Sequence, residues 1–153
     1  MAKLKKADKA PVFNLMDQNG KKVKLSDFKE KILLLYFYPK ANTGGCTKQA
    51  ISARDAKGDL EQLGVTVVGV SPDPSDMQKK FDEKHGLGFP LLSDIDHKVA
   101  DAYGAWGEKS MYGKKYEGVI RSAFLIGQDS KIIEAWYKVS PNDMVPKALK
   151  ALS

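Results

Sequence analysis

The chain of 153 residues is long enough for one domain with a sizeable hydrophobic core and short for two. Its 42% hydrophobic and 29% charged residues are ordinary for a globular protein, and no apolar run approaches the roughly 20 residues of a membrane span. The net charge of +6 comes from lysines scattered among acids, which favours a solvated surface over a nucleic-acid patch. We therefore predict one domain over residues 1–153 that binds neither membranes nor nucleic acid.

The cysteine content and the start of the chain indicate the compartment. Cys46 is the one cysteine, which excludes an internal disulfide framework and fits a reducing environment. Residues 1–6 are basic but lack the apolar segment of a secretory signal. Both observations predict a cytoplasmic protein.

The hydrophobic pattern predicts alternating strands and helices. Short apolar runs bounded by turn residues predict strands over residues 12–16, 23–25, 32–38, 65–70, 91–92, 119–126 and 132–137. Apolar positions at steps of three or four predict helices over residues 46–63, 74–85, 96–103 and 140–152. The glycine- and lysine-rich residues 104–118 are predicted to be a long surface loop.

The connections between these elements indicate the fold class. Asn19-Gly20 is a hairpin turn signal, so the first two strands form an N-terminal β-hairpin. The strand, helix and strand over residues 32–70 form a βαβ unit with a parallel strand pair. The sum is an α/β protein with a central mixed β-sheet flanked by helices. The turn over residues 127–130 predicts a second hairpin near the end of the chain.

Cys46 is placed where a cysteine becomes reactive. A strand ends at Pro39, and Thr43 is a suitable N-cap for the following helix, so Cys46 lies in its first turn. The unpaired N–H groups and the helix dipole there favour a thiolate, which is the nucleophilic form of cysteine. The alternative is that a lone cysteine on an apolar helix face is a small buried hydrophobe. The proline, threonine and two glycines at this strand-to-helix turn favour chemistry.

The residues around Cys46 resemble a known family. Pro39, Thr43 and Cys46 match the P-x-x-x-T-x-x-C active-site motif of peroxiredoxins, and residues 37–55 resemble the peroxiredoxin Q branch, also called bacterioferritin comigratory proteins. The likeness continues over residues 10–13, 89–94, 103–109 and 120–126. The resemblance implies a thioredoxin-like fold and a thiol-dependent peroxidase that needs no metal or other cofactor.

The resemblance also assigns roles to individual residues. Cys46 would attack a hydroperoxide and become a sulfenic acid, while Thr43 orients the substrate and Pro39 shields the thiolate from water. Arg121, the second active-site element of the family, would hold the thiolate and the transition state. The N–H groups around Gly45 and Cys46 would polarise the peroxide. Each residue also has a simpler interpretation: Pro39 ends a strand, Thr43 caps a helix and Arg121 pairs with a surface acid.

Other residues are weaker candidates. Arg54 lies near the site in the family and is a candidate for substrate binding. Gln49 and Tyr38 are weaker candidates still. His85 and His97 have no cysteine partners at ligand spacing, which argues against a metal site. No C-x-x-C motif supports disulfide exchange, and no local signature supports a Cys–His protease or transferase.

The sequence departs from the family at three positions. Relatives carry a second, resolving cysteine at the position of Ile51 or near Asp82, so this chain resembles a one-cysteine form. Gly44 replaces the usual proline and is expected to loosen the loop. A single sulfur cannot form an intramolecular disulfide, so an external thiol must regenerate Cys46.

The predicted function is therefore an antioxidant peroxidase reducing hydrogen peroxide and organic hydroperoxides. Its expected partners are the hydroperoxide and thioredoxin, or glutathione with glutaredoxin, with the chain itself a monomer or weak homodimer. Resolution by Cys46 of a second molecule stays open. The alternative from another class is a redox-sensing or chaperone-like protein-binding module with Cys46 as its switch.

Overall fold

The computed structural model describes residues 3–41 and 43–152. The strands are β1 Asn14–Met16, β2 Lys22–Lys24, β3 Ile32–Phe37, β4 Val65–Ser71, β5 Leu91–Ser93, β6 Trp106–Met111, β7 Lys114–Val119, β8 Ser122–Ile126 and β9 Ile132–Tyr137. The helices are α1 Gly44–Asp55, α2 Lys57–Gln62, α3 Ser75–His85, α4 Lys98–Ala102 and α5 Met144–Leu152, and a 3-10 turn covers Leu25–Phe28.

Seven strands form one mixed sheet in the order β2-β1-β5-β4-β3-β8-β9. β3 pairs parallel with β4 and antiparallel with β8, and β4 pairs parallel with β5. The parallel β3–β4 pair, joined through α1 and α2, confirms the predicted βαβ unit. The N-terminal hairpin of β1 and β2 is also confirmed, with Gly20 at a φ of 79° in its turn.

The central strand β3 separates two hydrophobic cores because its side chains alternate between the faces of the sheet. Leu34 and Tyr36 face one core with α1, α2, α3 and α5. Leu35 and Phe37 face the other core with α4 and the N-terminal segment. Gly69 of β4 lies beneath tyrosine rings of the first core, since a Cβ there would be 3.0 Å from Tyr36.

The largest correction concerns the predicted surface loop over residues 104–118. It is mostly an antiparallel hairpin, with Trp106 paired to Val119 and Met111 paired to Lys114. The turn places Tyr112 at a φ of 53° and Gly113 at 77°, the positive angles that two-residue hairpin turns favour. The glycines and lysines of these strands have weak strand propensity, which hid the hairpin in the sequence.

The remaining corrections are at the boundaries of helices and strands. The helix predicted over residues 46–63 is two helices, because the chain turns at Ala56 between α1 and α2. The last helix begins at Met144, and the residues around Ser140 and Pro141, predicted as its cap and first turn, form a preceding turn. β7 ends at Val119 and β8 begins at Ser122, so the predicted strand over residues 119–126 is interrupted at Arg121. Over the described residues, no helix has the length and hydropathy needed to cross a membrane.

Candidate active site

Cys46 lies in the first turn of α1, as the sequence predicts. Thr43 is the N-cap with an extended backbone, and its carbonyl accepts the first helical hydrogen bond from Thr47 N–H over 2.8 Å. The N–H groups of Gly44, Gly45 and Cys46 therefore have no acceptor within the helix. They present partial positive charge at the helix start, where a thiolate is stabilised.

Arg121 meets Cys46 although 75 residues separate them. Its Nη2 lies 3.4 Å from Cys46 Sγ, and its Nη1 donates to Gln49 Oε1 over 2.6 Å. The Gln49 amide donates in turn to the sulfur of Met144 over 3.2 Å, which connects the site to α5. Cys46 is 1% exposed and Gln49 is fully buried. The guanidinium fork is thus fixed by one neighbour while it contacts the sulfur with its other nitrogen.

Gly45 makes room for this guanidinium. A Cβ at Gly45 would lie 3.1 Å from Arg121 Nη2 and 3.4 Å from Pro141 Cγ. Any side chain would press on the nitrogen that contacts Cys46. Gly44 is different, because a Cβ there would meet no atom within 4 Å.

Thr43 and Pro39 occupy the predicted loop before α1. The Thr43 hydroxyl is exposed and donates to the carbonyl of Lys40 over 2.8 Å, so the side chain does not cap the helix. This hydroxyl keeps its capacity to accept a hydrogen bond from a bound molecule. Pro39 is half-buried just after β3, following the fully buried Tyr38. Both residues thus lie on the segment that carries the chain from β3 to Cys46.

Arg54 is turned toward α3. Its guanidinium donates to the carbonyl of His85 over 2.7 Å and pairs with Asp55 over 3.0 Å. These contacts join the end of α1 to the end of α3, and no contact with Cys46 accompanies them among the described residues. The ring of His97 stacks on Trp106 at 3.8 Å. In the part of the chain described, no group of three or more His, Cys, Asp or Glu side chains could hold a metal ion.

Charged and buried groups near Cys46 influence one another. Burial lowers the pKa of Lys109, the cation of Arg121 lowers it further, and Cys46 raises it. Burial raises the pKa of Tyr36 well above its ordinary value, as do Tyr38 and Cys46, whereas Arg121 opposes the rise. Arg121 contacts the sulfur directly, and Lys109 lies in the same electrostatic environment.

A cleft of about 490 Å³ opens against Arg121. Its apolar wall comes from Ile120 and Val139, and its cations from Lys109, Arg121 and Lys138. The β6–β7 hairpin supplies Lys109, whose Nζ donates to the carbonyl of Val119 over 2.9 Å. The β6–β7 hairpin therefore forms one side of the cleft beside Arg121.

The two positions at which the resemblance predicts a resolving cysteine have other roles here. Ile51 is half-buried and lines a cleft between α1 and α5. The Asp82 carboxylate accepts from the Gln18 side chain over 3.0 Å and from Gly88 N–H over 2.9 Å, which ties α3 to the N-terminal hairpin. Cys46 is a free, buried cysteine.

The structure also places residues at the site that the sequence did not indicate. Met144 supports Gln49, and Lys109 lies close enough to Arg121 and Cys46 to interact electrostatically. Asp73 accepts a hydrogen bond from the N–H of Ala41 in the loop before α1. All three are distant from Cys46 in sequence, and their side chains carry no local pattern that predicts this contact.

Comparisons with known proteins agree with this geometry. Residues 7–135 match the AhpC/TSA family. Peroxiredoxin Bcp of Escherichia coli is 50% identical over 132 residues, covering 86% of this chain and 85% of that protein. A PrxQ mutant of Xylella fastidiosa has a TM-score of 0.92 and 33% identity, covering 99% of this chain and 97% of that one. The bacterioferritin comigratory protein of Xanthomonas campestris, studied for its alkyl peroxide reduction, has a TM-score of 0.86 and 32% identity, covering 92% and 89%. The superpositions confirm the predicted thioredoxin-like fold.

Proposed function

This chain belongs to the AhpC/TSA family, as a one-cysteine member of its peroxiredoxin Q branch with thiol-dependent peroxidase activity, and we propose that Cys46 is its peroxide-reducing nucleophile. One observation carries this proposal. The sulfur of Cys46 lies in the first turn of α1, 3.4 Å from the guanidinium of Arg121. This position combines the helix dipole with a fixed cation, and both stabilise a thiolate.

The reaction begins when the Cys46 thiolate attacks the terminal oxygen of the hydroperoxide. The new S–O bond forms as the O–O bond breaks, and the electron pair of that bond leaves on the alkoxide or hydroxide. Cys46 becomes a sulfenic acid, and the leaving oxygen takes a proton to give an alcohol or water. Sulfur is oxidised by two electrons and the peroxide is reduced by two.

The residues around Cys46 stabilise the thiolate and position the peroxide. Arg121 stabilises the thiolate and the charge that develops on the peroxide oxygens, and Gln49 holds it in place. The N–H groups of Gly45 and Cys46 polarise the peroxide at the helix start. Thr43 accepts from the peroxide with its exposed hydroxyl, and Pro39 restricts the backbone that covers the sulfur.

The proposed substrates are hydrogen peroxide and organic hydroperoxides. The leaving oxygen carries either a proton or an alkyl group, and the attack on the terminal oxygen is the same. Ile120 and Val139 line the cleft beside Arg121 and offer apolar surface to an alkyl group. Alkyl peroxide reduction by the Xanthomonas campestris relative supports this breadth.

A thiol from outside the chain completes the cycle. It attacks the sulfenic acid, releases water and forms a mixed disulfide, and a second thiol then restores Cys46. The reductant is thioredoxin, or glutathione with glutaredoxin, and the protein works in the cytoplasm as a monomer or weak homodimer. The use of one cysteine and no structural disulfide supports this compartment.

The test is peroxide consumption by the purified protein with each reductant supplied in turn. We expect multiple turnovers with at least one reductant and none for Cys46→Ser. A serine variant that consumes peroxide at the wild-type rate would overturn the assignment of Cys46. Wild type that fails to turn over with any thiol, while still binding client proteins, would favour a chaperone-like module.

A further inference from the structure

A chain of buried hydrogen bonds runs beneath the loop that precedes Cys46 and ends on the carboxylate of Asp73. The Tyr38 hydroxyl donates to Gln78 Oε1, and Gln78 Nε2 donates to Ser71 Oγ over 2.8 Å. The Ser71 hydroxyl donates to Asp73 Oδ2 over 2.7 Å. Tyr38 and Gln78 are fully buried and Ser71 is 1% exposed, so little water competes for these groups. Every donor in the chain points toward the carboxylate.

The same oxygen of Asp73 also holds the loop. The backbone N–H of Ala41 donates to Asp73 Oδ2 over 2.7 Å, and Ala41 is 3% exposed. Ala41 lies between the end of β3 and Thr43, the N-cap of α1. Hydrogen bonds to a carboxylate are roughly twice as strong as neutral ones. The carboxylate therefore fixes the loop near its midpoint.

The first turn of α1 has little stiffness of its own before Cys46. Gly44 and Gly45 fill the two positions before the cysteine, and glycine has the widest backbone freedom of any residue. At Gly44 no neighbouring atom restricts the space around the backbone within 4 Å of a Cβ position. Contacts from outside the loop must therefore set where α1 begins.

We propose that Asp73 is a positioning residue, which holds Ala41 so that the Cys46 sulfur stays in register with Arg121. The proposal rests on the proposed peroxidase function. The backbone of Arg121 is anchored outside α1, because its carbonyl accepts from Val139 N–H over 2.9 Å. A shift of the loop would thus move the first turn of α1, with Cys46, relative to the backbone that carries Arg121.

The reaction is sensitive to such a shift. Nucleophilic attack needs the sulfur, the peroxide and the stabilising donors in one near-attack geometry, and a displacement of about 1 Å can cost on the order of 100-fold in rate. Arg121 contacts the sulfur through one hydrogen bond, from Nη2 over 3.4 Å, so a displacement of the sulfur weakens it. Release of Ala41 should therefore slow the attack of Cys46 on peroxide.

The experiment measures the second-order rate of Cys46 oxidation by hydrogen peroxide in single turnovers. Asp73→Ala removes the acceptor, and we expect the rate to fall roughly 10- to 100-fold. Asp73→Asn is the conservative variant, because its amide oxygen can accept from both Ala41 and Ser71, so its rate stays within about threefold of wild type. Asp76→Ala is the matched control, since Asp76 is exposed at the start of α3 and accepts from Met77 N–H.

A second readout separates positioning from general destabilisation. The rate at which a small thiol reduces the preformed sulfenic acid should not fall in Asp73→Ala, because that thiol brings its own nucleophile. Thermal unfolding of each variant shows that the rates refer to folded protein. If Asp73→Ala does not fold, Ser71→Ala removes a hydrogen-bond donor to the carboxylate and should slow oxidation by about tenfold.

Each outcome decides the proposal. A wild-type oxidation rate in folded Asp73→Ala overturns it, and so does a wild-type rate in Ser71→Ala where the first variant does not fold. An equal loss in Asp73→Asn and Asp73→Ala overturns it as well, because the charge would then matter rather than the position. Slow oxidation of the wild type itself is a failure of the proposed function, and the wild-type measurement reveals it directly.

Discussion

Replacement of Arg121 tests the contact on which the proposed chemistry depends. Arg121→Met keeps a side chain of similar length and removes the cation that lies 3.4 Å from Cys46 Sγ. It also removes the donor that satisfies the buried oxygen of Gln49 at 2.6 Å. Both consequences act at the site and leave the sheet contacts of β8 unchanged.

The structure sets the size of the effect. A hydrogen bond from a charged donor is worth about 1.5–3 kcal/mol, which corresponds to roughly 10- to 150-fold in rate if it is lost from the transition state. Arg121→Lys keeps the charge but has no planar fork, so it cannot hold Gln49 and the sulfur together as the guanidinium does. We expect its rate to lie between wild type and Arg121→Met.

The assay is single-turnover oxidation of Cys46 by hydrogen peroxide, quenched with a thiol-blocking reagent and quantified by mass. Lys80→Met is the control for the loss of one positive charge, since Lys80 is exposed on α3. Circular dichroism confirms that each variant is folded. A folded Arg121→Met that is oxidised within twofold of the wild-type rate would refute the assignment of Arg121.

Four further substitutions are predicted from the same geometry. Gly44→Pro should raise the free energy of unfolding by about 0.4–1 kcal/mol in denaturant titration, because Thr43 already has the extended backbone that precedes proline. Gly45→Ala should slow Cys46 oxidation by about tenfold in the single-turnover assay, because its Cβ would press on the guanidinium of Arg121. Arg54→Met should destabilise the fold by about 1 kcal/mol, measured by denaturant titration, with little change in oxidation rate, since its guanidinium binds the carbonyl of His85. Tyr36→Phe should raise stability by about 1 kcal/mol in the same titration, because among the described residues its buried hydroxyl has no hydrogen-bond partner.

Tyr36→Phe also has a signature in the pH dependence of stability. Burial raises the pKa of Tyr36, so the folded chain keeps a proton that the unfolded chain releases above about pH 10. Ionisation of Tyr36 therefore leaves the free energy of unfolding unchanged below that pH. Above it, the free energy of unfolding falls by about 1.4 kcal/mol per pH unit. Tyr36→Phe should remove this contribution of one proton to the pH dependence, so the free energy of unfolding should fall less steeply above about pH 10. An unchanged slope would contradict the pKa direction.

Each of the other three predictions would be contradicted by one definite result. A lower free energy of unfolding for Gly44→Pro would mean that the first turn of α1 differs from a regular helix start. A wild-type oxidation rate in Gly45→Ala would show that Arg121 adjusts without loss. A large loss of Cys46 oxidation by peroxide in folded Arg54→Met would support the predicted role of Arg54 in substrate binding.

The sequence predicts the part of the site that depends on local signals. Pro39 ends a strand, Thr43 takes the N-cap position and Cys46 lies in the first turn, because strand ends and helix starts are set by neighbouring residues. The hydroxyl of Thr43 did not follow the prediction, since it donates to Lys40 rather than capping α1. Local sequence patterns therefore predict the position of the backbone better than they predict the hydrogen-bond partner of a side-chain hydroxyl.

Contacts between distant segments needed more than periodicity. Arg121 reaches Cys46 across 75 residues, and the family resemblance rather than spacing indicated it. Asp73 and Met144 act on the site through contacts that tertiary packing creates, so their own neighbours in the sequence give no signal. The β6–β7 hairpin escaped prediction for a related reason, because cross-strand pairing overrides the weak propensity of its glycines and lysines.

The most direct test of the central claim is the intact mass of the protein after one equivalent of hydrogen peroxide. We expect a rapid gain of one oxygen on wild type, none on Cys46→Ser, and loss of that oxygen when thioredoxin or glutathione is added. A gain of a second whole chain through Cys46 would instead identify resolution between molecules. If Cys46 reacts no faster than a free thiol in solution, the sulfur is a packing residue and the peroxidase mechanism proposed for it is wrong.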